Sequence, residues 1–291
     1  MFSSVSRRKK RCILTLSALL ILLLCLGGWI LHSNTVPALT EVSIPAEGLP
    51  AAFDGLRIVQ VSDLHDAEYG KDHARTVALI RRAEPDIILL TGDLVDSQRT
   101  NVALTVSFCR EAVKVAPCYY VTGNHEGRLS AETYAELETA LVSLGVTVLH
   151  GEAVTLEREG ETVTVAGIDS PMFRRTGSKD GENAPSLSEL CGEGYTILLA
   201  HHPEFISDYA AAGADLVFSG HVHGGQFRLP LLGGLYGPGQ GVFPRYDAGL
   251  YEVSADRNEA LLYVSRGLGN SRFPLRLGNR PEVVLAVLEA K

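Results

Sequence analysis

The chain has 291 residues, 46% of them apolar, enough for one large domain or two small ones with a real core. Its formal net charge is −8, and five of its 26 Lys and Arg are confined to residues 7–11, so the remaining 21 face 34 Asp and Glu. Such an acidic body offers no basic field for tracking a nucleic-acid backbone, and a site for anionic substrates on it must bring its own positive charge, as metal ions do.

The basic cluster at residues 7–11 runs straight into residues 12–31, an uncharged and mostly apolar stretch of about one bilayer span. Positive charge before such a span is a topology signal, placing residues 1–11 in the cytoplasm and the rest of the chain on the far side. A cleaved signal peptide is the alternative. The run is longer than a usual signal core and no small-x-small site follows its Leu-rich part, so it reads as an uncleaved anchor. Arg7-Arg8 is a twin-arginine pair, but Lys9, Lys10 and Arg11 stand where apolar residues would follow. Cys25 follows Leu24 rather than a small residue, which argues against lipid attachment there.

Residues 32–54, punctuated by Pro37, Pro45 and Pro50, read as a linker and a lead-in strand. Beyond them, short Val/Ile/Leu runs alternate with helical spacing at residues 72–83, 101–115 and 131–144. That alternation makes right-handed βαβ crossovers and a parallel sheet. The rhythm then changes to short strands at 147–150, 153–157 and 162–167, repeated towards the end at 250–253, 261–264 and 283–288. The expected fold is α/β, with two packed β-sheets flanked by helices (a four-layer αββα sandwich) behind one transmembrane helix. The expected organisation is 1–11 basic segment, 12–31 anchor, 32–54 linker and lead-in, and 55–291 the folded domain. Two long loops interrupt it: a polar one at 171–185 with Arg174, Arg175 and Lys179, and one at 224–249 rich in Gly, Pro and aromatics. Loops of such length often serve as binding loops or lids. Cys109, Cys118 and Cys191 read as packing residues. A Cys109–Cys118 disulfide is open to an exported protein, and the lack of any CxxC pair speaks against a structural zinc site.

Five apolar runs end in metal-seeking side chains. Residues 56–61 lead into Ser62-Asp63-Leu64-His65, and 86–90 into Gly92-Asp93. Residues 118–121 lead into Gly123-Asn124-His125-Glu126, 196–200 into His201-His202-Pro203, and 216–218 into Gly220-His221-Val222-His223. Ligands of open α/β sheets collect beyond the carboxyl ends of the strands. If these strands are parallel neighbours, their tips gather two Asp, an Asn and several His. Hard oxygen donors with imidazoles and no thiolate suit manganese, iron, zinc or cobalt.

The order D-x-H, G-D, G-N-H-E, H, G-H-x-H over residues 63–223 resembles the calcineurin-like metallophosphoesterases. Ala200-His201-His202-Pro203-Glu204, Gly224-Gly225-Gln226, Pro238-Gly239-Gln240-Gly241 and Ser265-Arg266-Gly267-Leu268-Gly269 look like its membrane-anchored bacterial subgroup. The resemblance implies two divalent ions, one on Asp63, His65 and His223, the other on Asn124, His201 and His221, with Asp93 bridging. It implies a phosphohydrolase acting on phosphate ester or pyrophosphate bonds by in-line attack of a metal-bridging hydroxide, with His125 protonating the leaving group. His202 would lie behind the ligands or face substrate, and Arg266 would line the rim. Asp66, Asp96, Glu126, Glu204 and Asp169 are candidates to orient the ligands. The substrate would be a phosphorylated small molecule or a lipid-linked one, met on the outer face of a bacterial cell membrane. Two alternatives remain: a non-catalytic metal-binding scaffold of the same fold, and a nucleotide-linked lipid-sugar pyrophosphatase, which requires the opposite orientation.

Overall fold

A computed structural model describes residues 2–171, 186–255, 258–270 and 273–291. It opens with α1 (Phe2–Thr35), whose segment Arg7–Thr35 is long and apolar enough to cross a membrane and lies outside the packed body. The helix outruns 12–31 at both ends because nothing in the flanking sequence breaks it until Pro37, which also pushes Val36 out of the helical region. β1 (Ala38–Ala46) follows at once, a nine-residue strand within the stretch expected as linker and lead-in strand.

The expected alternation comes next: β2 (Arg57–Val61), α2 (Ala74–Arg82), β3 (Ile87–Thr91), α3 (Val102–Ala112), β4 (Cys118–Val121), α4 (Ala131–Ser143) and β5 (Thr147–Val148). Asn101 and Ser130 start α3 and α4 by accepting the N–H of Leu104 and Thr133. α2 starts later than 72 because Asp72 and His73 are left-handed. Then come β6 (Glu152–Arg158), β7 (Glu161–Ile168), α5 (Leu187–Cys191), β8 (Thr196–Ala200), α6 (Ile206–Ala211) and β9 (Leu216–Ser219). The Gly/Pro-rich segment forms two small hairpins, β10 (Arg228–Leu229) with β11 (Gly233–Gly234) and β12 (Tyr236–Gly237) with β13 (Gly241–Val242). β14 (Gly249–Ala255), β15 (Asn258–Val264) and β16 (Glu282–Ala290) complete the chain. Apart from Pro171, the polar loop with Arg174, Arg175 and Lys179 lies outside the described residues.

The strands form two six-stranded mixed sheets, ordered β1-β16-β2-β3-β4-β5 and β14-β15-β9-β8-β7-β6. The motif strands are therefore not one parallel array. β2, β3 and β4 are parallel neighbours in the first sheet, β8 and β9 in the second. β5 and β16 also leave the β-rich groups in which they occur in sequence and join the first sheet. For β16 the reason is its continuous apolar run: Val284, Ala286 and Leu288 face the space between the sheets, while Val283 and Leu285 face the helices on the other side. Ile58, Leu89, Val121, Ile197, Leu199 and Phe218 fill the layer between the sheets. α2, α3 and α4 cover the outer face of the first sheet, α5 and α6 that of the second. Gln60 bridges the sheets from β2, donating to Thr91 Oγ1 and to the Ser219 carbonyl, each at 2.9 Å. Cys109 and Cys118 are buried free thiols, so the optional disulfide is not formed.

Candidate metal centre

The carboxyl ends of both sheets meet at one edge of the sandwich. Two glycines allow the meeting. A Cβ on Gly220 would stand 1.8 Å from Ser62 Oγ and 2.4 Å from Asp63 Oδ2, and one on Gly123 would stand 2.2 Å from Asp93 Oδ1. Asp63, His65, Asp93, His221 and His223 all have φ between 46° and 71°. Left-handed backbone is uncommon outside glycine, and its concentration here marks strain held at a functional site.

The turns bring the sequence-predicted donors together. Asp63, His65 and His223 form one group and Asp93, His201 and His221 another, the donor atoms of each lying within 4.8 Å of one another. His65 Nε2 is 3.1 Å from His223 Nε2 and 3.6 Å from Asp93 Oδ2; His223 Nε2 is 3.6 Å from Asp63 Oδ1. Every one of these side chains is buried. His201 shows that the set fits a cation. Its Nδ1 is 2.7 Å from the Thr91 carbonyl and must donate to it, which leaves Nε2 as the lone-pair side. That atom is buried without a hydrogen-bond partner, 3.3 Å from Asp93 Oδ2. A metal-binding histidine commonly has its other nitrogen anchored on a carbonyl in this way. The Asn124 amide oxygen lies 2.7 Å from His221 Nδ1, and the amide nitrogen 3.0 Å from Arg128 Nη1. Both contacts pair like with like. Turning the amide over would make them hydrogen bonds, whereas a cation between oxygen and imidazole makes the first favourable as it stands. The surrounding donors favour the cation.

The electrostatics agree. Burial raises the Asp63 carboxyl to about 6 and lowers His65 to about 3. Burial also opposes a charge on His201, yet the Asp93 carboxylate beside it lifts that ring to about 10. The carboxylates of this pocket thus draw a proton on to His201, and a divalent cation meets the same demand.

Around the donors, the orienting groups differ from expectation in detail. Glu126, adjacent to His125, is fully engaged with backbone: its oxygens accept the N–H of Asp93, Leu94, Val95 and Gly123. Asp66 accepts from the N–H of Asp96 and Asn101, and Asp169 from Thr122 Oγ1. His202 sits between Ser170 Oγ (2.9 Å) and Glu204 Oε1 (3.1 Å), its ring centroid 4.2 Å from that of His221. Arg266 is not a rim residue. Its guanidinium is held by Glu282 and Thr40 Oγ1, because a half-buried cation takes the nearest buried carboxylate. The arginine beneath the site is Arg276, fully buried, with Nη2 3.3 Å from His223 Nδ1 and donating to the Gly269 carbonyl. Sequence reading missed it, since no motif spacing points to residue 276. It also passed over Arg128, two residues beyond Glu126.

His125 receives the Ser97 N–H on Nδ1 at 3.0 Å, and Asp96 Oδ1 is 3.8 Å from the same nitrogen. A cavity of about 340 Å³ opens here, bounded by Asp93, Asn124, His125, Arg128 and His221 below and by Tyr236 and Phe273 at its mouth. The expected closeness of the 224–249 loop is therefore observed through Gln226, Tyr236 and Pro238.

Fold and donor set together define a class: metal-dependent phosphoesterases. The calcineurin-like phosphoesterase family model matches residues 56–225. The metallophosphoesterase YkuE of Bacillus subtilis (strain 168) is 32% identical over 257 residues, 86% of this chain and 85% of that protein. The phosphodiesterase YaeI of Escherichia coli (strain K12) is 30% identical over 80% of this chain and 82% of its own length. A transmembrane protein with metallophosphoesterase domain from Danio rerio is 32% identical over 94% of this chain, which spans 62% of that relative. The chain belongs to the calcineurin-like phosphoesterase family.

Proposed function

We propose that the chain is a phosphohydrolase holding two divalent ions, one on Asp63, His65 and His223 and one on Asn124, His201 and His221, with Asp93 shared. The observation that carries this reading is the pair of buried donor groups meeting at Asp93. Ions bound there supply Lewis acidity, which activates water and offsets charge on phosphoryl oxygens. Manganese, iron, zinc and cobalt all suit the donors.

The protein's residues do the remainder. Glu126 fixes the Asp93 backbone, and Thr91 fixes the His201 ring. Because Ser97 N–H donates to His125 Nδ1, the neutral ring carries its proton on Nε2. Protonated on Nδ1 as well, where Ser97 Oγ at 3.1 Å and the Asp96 carboxylate offset the charge, the imidazolium gives its Nε2 proton to the departing oxygen and is left neutral. Arg128 lines the same cavity and has donors suited to phosphoryl oxygens. The substrate is a phosphate ester or pyrophosphate, small or lipid-linked, met on the outer face of a bacterial membrane to which α1 anchors the domain.

Metal analysis paired with kinetics tests the assignment. Wild-type chain purified with manganese is expected to hold two ions and to cleave chromogenic phosphodiesters. His125→Ala should keep both ions and lose about 10²–10⁴ in kcat. Asp93→Asn should lose metal as well as activity. A wild type that holds two ions yet cleaves no monoester, diester or pyrophosphate would instead be a binding scaffold.

A further inference from the structure

We propose that the apolar surface formed by the two hairpins of residues 228–242, with Phe243 and Phe273, seats in the bilayer interface beside α1, so that the metal centre opens at the membrane and draws its phosphate from an amphiphile held there. The substrate half of this inference rests on the phosphohydrolase reading; the seating of the surface does not.

Nine large apolar side chains outside α1 are exposed among the described residues, and seven of them lie on this one surface. Leu231 and Leu232 form the tip of the first hairpin, the former fully exposed. Tyr236 and Val242 pair across the second, and Phe243 follows it, its N–H donating to the Leu235 carbonyl. Phe273 stacks edge-on against Phe227, with ring centroids 5.2 Å apart. A soluble surface rarely gathers so many in one place without a partner.

The partner follows from where the surface is tied down. Arg276 N–H donates to Asn34 Oδ1 at 2.7 Å, and Asn34 Nδ2 donates back to the Arg276 carbonyl at 2.9 Å. The same short segment holds the first hairpin, through Arg228 N–H to the Leu277 carbonyl and Gln226 Nε2 to the Phe273 and Leu275 carbonyls. The apolar surface is thus one segment removed from the end of α1. Asn34 lies three residues beyond the apolar run, about 4.5 Å of helix rise, within a headgroup layer roughly 5–7 Å deep. The composition also fits lipid. Residues 224–249 contain one carboxylate, Asp247, which is paired with Arg228, and an exposed Arg245, on a body that is otherwise acidic. Aromatic and aliphatic tips with a cation are what interfacial segments carry.

The surface and the site share their boundary. Tyr236 and Phe273 belong to the exposed patch and also to the mouth of the cavity containing Asp93 and His125. A substrate entering from this side passes between apolar walls before meeting the metal donors. An amphiphile with its chain in the bilayer and its phosphate at the surface has that polarity.

The full chain, reconstituted in phosphatidylethanolamine/phosphatidylglycerol vesicles with brominated acyl chains, tests both halves. Trp29→Phe removes the only tryptophan. Leu231→Trp in that background should lose about half of its fluorescence or more to bromine, whereas Val142→Trp, exposed on α4 near the opposite edge of the first sheet, should not. Equal, weak quenching at both positions overturns the seating. For the substrate half, the triple variant Leu231→Glu, Leu232→Glu, Phe243→Glu should hydrolyse soluble bis(p-nitrophenyl) phosphate within about twofold of the parent. Its release of a fluorogenic phosphodiester headgroup from vesicle-embedded lipid should fall about tenfold. Equal effects on the two probes overturn the lipid assignment. A parent inactive on both, and on monoester and pyrophosphate probes as well, sinks the phosphohydrolase reading and the substrate half with it, and the quenching result still decides the seating.

Discussion

His150 shows how a titrating side chain can fasten two elements away from the chemistry. Its Nδ1 is 2.8 Å from Asp169 Oδ2, after β7, and its Nε2 is 3.0 Å from Glu138 Oε1 on α4. Burial opposes the imidazolium, but the Asp169 and Glu138 carboxylates outweigh it, and the pKa rises above 6.5. A raised histidine stabilises the fold fully below its unfolded pKa, and the contribution fades as pH climbs through the folded one. His150→Gln should therefore cost about 1 kcal/mol more at pH 6 than at pH 9, read by urea unfolding at both. An equal cost at the two pH values would mean that the carboxylates do not hold a charged ring. The metal donors were legible because each follows a strand at a motif spacing. Arg276 and the His150 triad were not, because their partners are backbone groups or carboxylates far along the chain, which no local pattern records; Glu126 was named, but not its backbone partners. Arg266 misled for the complementary reason: its motif neighbours lie at the site, but its own guanidinium finds Glu282.

At the scale of elements, local pattern predicted where strands and helices lie better than which sheet a strand joins. Alternation and apolar runs report burial, while pairing depends on the whole chain. β5 and β16 are the cases in point, each separated from the β-rich group in which it occurs in sequence. β1 is another, a full partner of β16 over nine residues in a stretch that reads only as linker and lead-in strand. Its removal would expose a long apolar edge on β16. A chain beginning at Val36 is expected to remain monomeric in gel filtration and to melt within a few degrees of one retaining α1, whereas a chain beginning at Glu47 should aggregate. Both truncations behaving alike would show β1 to be dispensable.

The whole molecule pairs an acidic enzyme body with one apolar helix, and its orientation decides which substrates it can reach. The basic residues ahead of the apolar run of α1 favour the domain on the outer face. Alkaline phosphatase fused after Lys291 should be active and a green fluorescent protein fused there dark; the reverse would favour the nucleotide-linked lipid-sugar reading. The position of β16 bears on how such a molecule is made. β16, made after every other strand described, lies between β1 and β2, one strand in from the edge of its sheet. Until the ribosome has delivered residue 290, β2 lacks a neighbour on that side and the apolar layer gapes. The polypeptide thus stays pliable while it is translated, and closes into an enzyme only once β16 is in place.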